Sequence, residues 1–596
     1  MTSDLLQSAL AQHQAGQLAA AEAGYRQVLT QSPNSSAAWH LLGALCLQSG
    51  RHQDAINAIS RAIQLEPGNA DYHNHLGAAY GAAGDKTAAI ASLRRAVQLA
   101  PQSGGAHYNL GTALRNDEQL TESVVSFQNA IAAGQPTPEM HFNLGNSFRE
   151  LKQFEQAEAS FRAALRLRPQ YAKAMVNLGN VLRDQDRLAE GIQVLRGAVA
   201  AHPEHANAHL NLGTLLRDAG EFNEAVIALR RAATLDPRSA DVLNNLGTAL
   251  QARAEFAEAA ACYEAALAAN PNLPEAHFSI GTHLLRQGNL AAGFAEFDWR
   301  WRCKSFSTQQ FPMPQWDGSP LAGRTILLYA EQGLGDAIHF VRYAAGVKAR
   351  GGRTLVQLPE AVLPLLKNCP GIDERLPAGL MWPAFDAHCP LMSLPGVLEL
   401  SLDELWHGPY LTAEPARIEA WRDKLAPLSG FRIGVCWQGN PKHLFDSQRS
   451  FPLTALAPIA NQPGVQLVSL QKGFGAEQIA DWGFEVFEPG GQGNENLDQD
   501  GAFLDTAAIL SSLDLLISAD SAAAHVAGGL GRPVWLALSA HSDWRWFADR
   551  TDSPWYPATR LFRQAKLDQW DDVFRQMAAE LPGLLAAEPS PGSMKR

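Results

Sequence analysis

No apolar run in the 596-residue sequence approaches the ~20 residues needed to cross a bilayer, and the opening MTSDLLQSAL lacks a basic segment leading into an apolar one. No membrane span is expected, and a cytoplasmic protein is the simplest expectation. Positive charge is also scarce: 48 Lys and Arg stand against 60 Asp and Glu, a net −12. Nucleic-acid binders need a basic stripe to displace counterions from phosphates, so that ligand class is set aside. The six cysteines, Cys46, Cys262, Cys303, Cys369, Cys389 and Cys436, show no C-x-x-C spacing. Neither a zinc site nor a disulfide framework is read from them, and they are expected to be reduced and buried.

What the first half has in abundance is repetition. Glycines recur every 34 residues, at Gly43, Gly77, Gly111, Gly145, Gly179, Gly213, Gly247 and Gly281. Twelve residues after each stands a small residue, and sixteen after stands a large apolar one, from Ile59 to Phe297. A small residue set against a large one lets two crossing helices approach closely. Proline closes most units, for example at Pro67, Pro101, Pro169, Pro203 and Pro237, where it ends the second helix. This period and pattern resemble the tetratricopeptide repeat, with eight units keyed to the glycines and a degenerate one at the start.

A polar stripe accompanies the glycines. Asn109, Asn143, Asn177, Asn211 and Asn245 lie two residues before them, on the helix flank away from the packed face. A carboxamide offers donor and acceptor together, so stacked asparagines form a ladder suited to the backbone of an extended peptide; the alternative is that they only cap or solvate the hairpins. The ladder looks like that of the O-GlcNAc transferases. The histidines His73, His107, His141, His209 and His277 fall four residues before the repeat glycine, which accounts for them without a metal.

The helical period ends after Phe297. A connector, 298–323, contains the aromatic WRWRC and the Pro-rich FPMPQWDG. Beyond it, short apolar runs at 325–329, 354–358, 432–437, 466–470, 485–487, 515–518 and 534–538 read as strands alternating with helices, which implies parallel sheets with helices on both faces. The organisation expected is a repeat superhelix over 1–297, a first α/β lobe over 324–412, a hinge around 409–430, a second lobe over 430–585, and a disordered tail at 586–596.

Three loops carry the chemical signal. AEQGLGDAIHF, 330–340, runs from a strand into a glycine turn where Asp336 opens a helix; Ile338 replaces the third glycine of the dinucleotide fingerprint, which argues against NAD. The segments 435–453 and 468–473 place Trp437, Gln438, Arg449 and Lys472 after strands. In 514–535 a strand ends at Asp520, and Ser521, Ala522 and Ala523 open a helix whose first amides are accessible to an anion, with His525 one turn in. Asp498 and Asp500 imitate a metal-binding D-x-D but lack further ligands, and no metal or other cofactor is expected.

The G-L-G-D turn, the W-Q-G-N segment with its later arginine, D-S-x-x-x-H and the closing 543–564 together resemble heptosyltransferase-like glycosyltransferases of GT-B fold. The whole chain looks like bacterial tetratricopeptide-repeat proteins carrying such a domain. The resemblance implies a metal-independent, inverting glycosyltransferase that uses a nucleotide-sugar donor and a protein or peptide acceptor on the repeat groove. It casts Asp336 as general base and Trp437, Gln438, Arg449, Lys472, Asp520, Ser521, Ala522, Ala523 and His525 as donor ligands. A structural alternative for Asp336 is the helix N-cap, and for His525 the filling of the lobe interface. The alternative for the chain is a non-catalytic scaffold with a degenerate transferase-like domain. The short first lobe departs from the family pattern and suggests acceptor contacts from the repeats.

Overall fold

The structure, a computed structural model, describes residues 2–304, 306, 311–406, 408–441, 446–567 and 569–586. The stretch from 587 onward, where a disordered tail is expected, and positions 442–445 of the segment before Arg449 lie outside the described residues. Contacts divide the chain into two compact units, Met1–Ala219 and Gly220–Arg596. From Thr2–Gln14 to Leu290–Phe297 the described residues form eighteen helices, nine consecutive pairs in sequence, with no strand among them.

Within the first unit the repeat glycine meets the residue sixteen positions later. A Cβ on Gly145 would lie 2.7 Å from the Phe161 ring, one on Gly179 2.7 Å from Leu195, and one on Gly111 2.9 Å from Phe127. Phe127, Phe161 and Leu195 are fully buried, so each hairpin closes around one large side chain. The position four residues before the glycine fastens the loop between hairpins. There Trp39, His73, His107 and His209 direct ring nitrogens to the carbonyls of Pro33, Pro67, Pro101 and Pro203 at 2.9–3.1 Å.

The asparagines divide. Asn109 donates to Asn74 Oδ1 at 2.9 Å, Asn143 to the Tyr108 hydroxyl at 2.8 Å and Asn177 to Asn146 Oδ1 at 2.7 Å, each stitching one repeat to the one before. Asn211 donates instead to the Asn207 carbonyl, and Asn245, in the second unit, to that of Asp241.

The second unit begins with the last repeats and carries two parallel sheets. The first contains β1 (Thr325–Tyr329), β2 (Arg353–Leu358), β3 (Glu374–Pro377) and β4 (Ala387–Pro390) in the order β3-β2-β1-β4. The second contains β5 (Phe431–Cys436), β6 (Val465–Ser469), β7 (Leu515–Ser518), β8 (Val534–Leu538) and β9 (Thr559–Arg563) in the order β6-β5-β7-β8-β9. In each sheet the chain builds outward on one side of its first strand and then crosses to the other, which leaves a crevice at the C-terminal ends of the strands.

Three differences from expectation have local causes. Residues 485–487 are not a strand: only Phe487 bridges to Val468 before Pro489 and Gly490 turn the chain away. β3, β4 and β9 escape recognition because ERLP, AHCP and TRLFR mix charge or proline into four- or five-residue runs. The stretch expected to hinge is tied down, since the amides of Tyr410 and Leu411 both donate to the Gly529 carbonyl at 3.0 and 3.1 Å, and the helix Pro415–Leu425 is held through Arg417 and Trp421 to Asp505.

The last hairpin joins the same hydrophobic core as both sheets, with Phe294 and Phe297 packing edge-on to Trp544 at 5.8 and 5.6 Å. In the connector, the fully buried Arg300 pairs with Glu331 at 2.8 Å and donates to the Ser393 hydroxyl at 2.8 Å.

A Cβ on Gly281 would meet backbone rather than a side chain, 2.8 Å from the Glu296 carbonyl carbon and 2.9 Å from Phe297 Cα. Gly281→Ala should therefore lower stability by about 1–3 kcal/mol, as overpacking does. Exposed helical Gly105, with nothing within 4 Å of its Cβ direction, gives the control: Gly105→Ala should be neutral or stabilising by up to about 1 kcal/mol. Thermal unfolding of the two variants checks the contrast.

Candidate functional site

A cleft of about 1160 Å³ opens where the strand ends meet. Gln332 to Asp336 follow β1, Gln438 and Gly439 follow β5, Lys472 and Phe474 follow β6, Asp520 to Ala523 follow β7, and Asp543 and Arg545 follow β8. Of the expected site residues, Asp336, Gln438, Arg449, Lys472, Asp520, Ser521, Ala522, Ala523 and His525 all line it. Trp437 does not: it is fully buried, and its indole N–H is spent on the Gly475 carbonyl at 3.0 Å, which makes it part of the second sheet's core.

Two helices face each other across the cleft floor, Leu334–Phe340 from the first lobe and Ala522–Gly529 from the second. Gly335 permits the approach, because a Cβ there would sit 3.1 Å from His525 Cδ2 and 3.6 Å from Ala522 Cα. Asp336 is not the N-cap of its helix; Gly333 holds that position and Asp336 stands three residues in. Ser521 caps the second helix only by position. Its hydroxyl turns inward to Ser518 Oγ at 2.9 Å and makes no side-chain cap; the Ala524 amide turns back to the Ser521 carbonyl at 3.1 Å, and no side chain caps the amides before it.

Charge in the cleft is arranged around Arg545, which sequence reasoning missed. The residue is 7% exposed, and its guanidinium is ion-paired with Asp336 and reaches Asp543 Oδ1 at 2.7 Å. Burial opposes its charge, but the carboxylates of Asp336 and Asp543 outweigh this and hold the guanidinium above its ordinary range. Burial works against the charged form of Asp543 as well, yet the charge and hydrogen bonds of Arg545 keep that carboxyl below its usual range. Asp520 goes the other way. Burial, with the Asp543 carboxylate adding to it, pushes Asp520 up to about 6 against the opposing charge of Arg449.

Arg449 sits at the end of the short helix Asp446–Arg449 and pairs with Asp446 Oδ1 at 3.0 Å. Gly439 gives its guanidinium room, since a Cβ there would lie 2.6 Å from an Arg449 nitrogen. Lys472 lies at the exposed rim and donates to the Leu497 carbonyl. Beside it, buried Gln471 ties the loops after β5 and β6 together. Its Oε1 accepts from the amides of Trp437 and Gln438 at 3.0 Å, and its Nε2 donates to the carbonyls of Gln438 and Phe474 at 3.0 and 2.7 Å. A buried amide next to a cleft lysine leaves no signature in sequence.

His525 belongs mostly to the lobe interface. Its Nδ1 lies 3.0 Å from the Tyr556 hydroxyl and 3.2 Å from Nδ1 of His339, and burial, then Arg545, pushes it down to about 3, so it is neutral. Asp498 accepts from the Asp505 and Thr506 amides at 2.6 and 3.0 Å and from the Thr506 hydroxyl at 2.6 Å, while Asp500 pairs with Arg417. Asp498 thus holds the start of the helix Leu504–Leu510, and Asp500 is engaged by Arg417 of the helix Pro415–Leu425.

With this geometry in place, the first half can be classed. The tetratricopeptide repeat family matches residues 12–78 in one form and 74–138, 108–172, 142–201, 176–240 and 244–298 in another, so the N-terminal ~300 residues are tetratricopeptide repeats. Protein FlbA of Caulobacter vibrioides (strain ATCC 19089 / CIP 103742 / CB 15) is 26% identical over 331 residues, covering 51% of this chain and 54% of that protein. The chain thus spans about half the length of that relative. Among solved structures, YrrB, described as a TPR protein with an unusual peptide-binding site, is 22% identical with a TM-score of 0.28, covering 31% of this chain and 96% of its own. The APC/C hetero-tetramer Cut9-Hcn1 is 17% identical with a TM-score of 0.35, covering 45% and 52%. Likenesses at these scores bear no weight for the arrangement of this chain.

The raised Asp520 has a stability consequence with a definite sign. A carboxyl whose folded pKa lies near 6, above its ordinary 3.8, favours the folded state fully below the unfolded value and loses that contribution as pH rises through the folded one. Asp520→Asn imitates the protonated form. It should unfold at a higher temperature than the parent at pH 7.5, with the gap closing as pH falls toward 4. A gap independent of pH would contradict the assignment.

Proposed function

We propose that the chain is a glycosyltransferase of GT-B type that moves a sugar from a nucleotide donor, without metal and with inversion, to a protein or peptide acceptor recruited by its repeats. One observation carries this reading: Asp336 from the first lobe and Arg449, Lys472 and Asp520 from the second line one cleft at the ends of two parallel sheets. Ligands of open α/β sheets bind in such crevices. In this reading the donor diphosphate lies on the first-turn amides at Ser521–Ala523, where backbone N–H groups and the helix dipole favour an anion. Arg449 and Lys472 neutralise the leaving diphosphate. Asp520 accepts from a sugar hydroxyl, and Asp336 takes the acceptor proton as the new bond forms. The tetratricopeptide repeats support a peptide or protein partner. Because Asn109, Asn143 and Asn177 donate across repeats, a peptide would meet their carboxamides already oriented.

A second reading, a repeat scaffold with a non-catalytic transferase-like domain, is favoured by one contact, the ion pair in which Arg545 occupies the proposed base. The two readings separate by experiment. A thermal-shift screen against nucleotide sugars should find a donor that stabilises the protein by mass action, and that donor should turn over. Asp336→Asn should then lower turnover by ~10²-fold or more, with donor affinity held within a few-fold because Arg545 keeps Asp543. Arg449→Ala should weaken the nucleoside diphosphate product. Donor binding with no turnover in the parent protein supports the scaffold.

A further inference from the structure

The loop that carries Asp543 and Arg545, residues 539–547, is anchored from outside the cleft by the buried Arg286 and the half-buried Arg563. Arg286 ends the helix Pro274–Arg286 of the last repeat and is 6% exposed. Its Nη1 donates to the Ser542 carbonyl at 2.6 Å and its Nη2 to that of Ala540 at 3.3 Å, while its own carbonyl accepts from the Ala548 amide at 2.9 Å. The guanidinium lies 3.7 Å from the centre of the Phe256 ring, and that ring stands parallel to His541 at 6.5 Å. Arg563 at the end of β9 reaches the same loop, donating to the Ser542 hydroxyl and to the Trp546 and Phe547 carbonyls, the latter two at 3.0 and 2.8 Å. The other cleft arm has a similar tie: Gln448, beside Arg449, donates Nε2 to the Ala252 carbonyl at 3.3 Å. A helix end ordinarily needs no arginine this deeply buried, and an unpaired buried guanidinium is costly. Its return here is a fixed loop, because charge-assisted hydrogen bonds to carbonyls are stronger than neutral ones.

We propose that Arg286 is a positioning residue for the cleft, through which the last tetratricopeptide repeat sets the place of the Asp543–Arg545–Asp336 cluster and so of the ligand that the cluster faces. The repeats are then a structural part of the α/β site as well as a means of recruitment. The chemistry of that ligand, a nucleoside diphosphate, rests on the transferase reading; the loop anchoring does not. Arg286 does not line the cleft; it acts through the loop that it holds, and its charge also bears on Asp543 in that loop.

The test uses the full chain and its Arg286→Gln and Arg286→Lys variants, with amide hydrogen exchange and calorimetric binding of ADP, GDP and UDP. Arg286→Gln should raise exchange at 540–548 about tenfold and weaken the bound diphosphate by a similar factor, the loss of charged hydrogen bonds, while β5 exchanges as in the parent. Arg286→Lys, which retains the charge but not the two-carbonyl fork, should fall between. Unchanged exchange at 540–548 overturns the proposal. So does faster exchange there with unchanged diphosphate affinity, since Arg286 would then serve stability alone. If the parent chain binds none of the three diphosphates, the transferase reading fails, and exchange at 540–548 in Arg286→Gln still upholds or overturns the anchoring.

Discussion

Arg545 is the contact on which the cleft depends. One buried guanidinium holds Asp336 from the first lobe and Asp543 from its own loop, and so fixes how closely the two lobes approach. It also divides the carboxylates into two kinds. Asp543 is kept ionised, and its charge, added to burial, pushes Asp520 toward protonation. The cleft thus holds one committed carboxylate and one whose pKa is raised, a contrast of the kind that clusters at functional sites. Everything that holds Arg545 in place, including Arg286 and Arg563, shares in that electrostatic arrangement.

The neutral floor beneath the charges is equally constrained. His339, His525 and the Tyr556 hydroxyl lie within 3.0–3.2 Å of one another, and buried Arg342 donates to the Trp555 carbonyl and the Tyr410 hydroxyl at 2.7 and 3.1 Å. With Arg342 and Arg545 close by, protonating either histidine would place cation against cation, which is why burial and those charges both depress them. A hinge motion between the lobes would have to strip these polar groups of their partners, and would also break the doubled amide contact at Gly529.

The repeats were legible in sequence because a 34-residue period sets a glycine against a large residue sixteen positions on, and the two meet with no room for a Cβ at, for example, Gly145 and Phe161. The strands with unbroken apolar runs were legible for a related reason: parallel strands buried on both faces read as continuous hydrophobic stretches. What escaped was whatever depends on contacts distant in sequence. Asp336 and Arg545 are 209 residues apart, and nothing near either one signals the pair. Trp437 read as a ligand because it opens the W-Q-G-N segment that carries the family resemblance, but alternation along the chain turned it into the core. The asparagines were visible as a stripe, whereas their partners in adjoining repeats were not.

The most direct measurement is a crystal structure of the full chain with the nucleoside diphosphate that stabilises it most. The account predicts the diphosphate at the amides of Ser521–Ala523, within reach of Arg449 and Lys472, with Asp336 and Arg545 facing the vacant sugar position. A diphosphate bound elsewhere, or a cleft that stays closed to it at saturating concentration, would contradict the central claim.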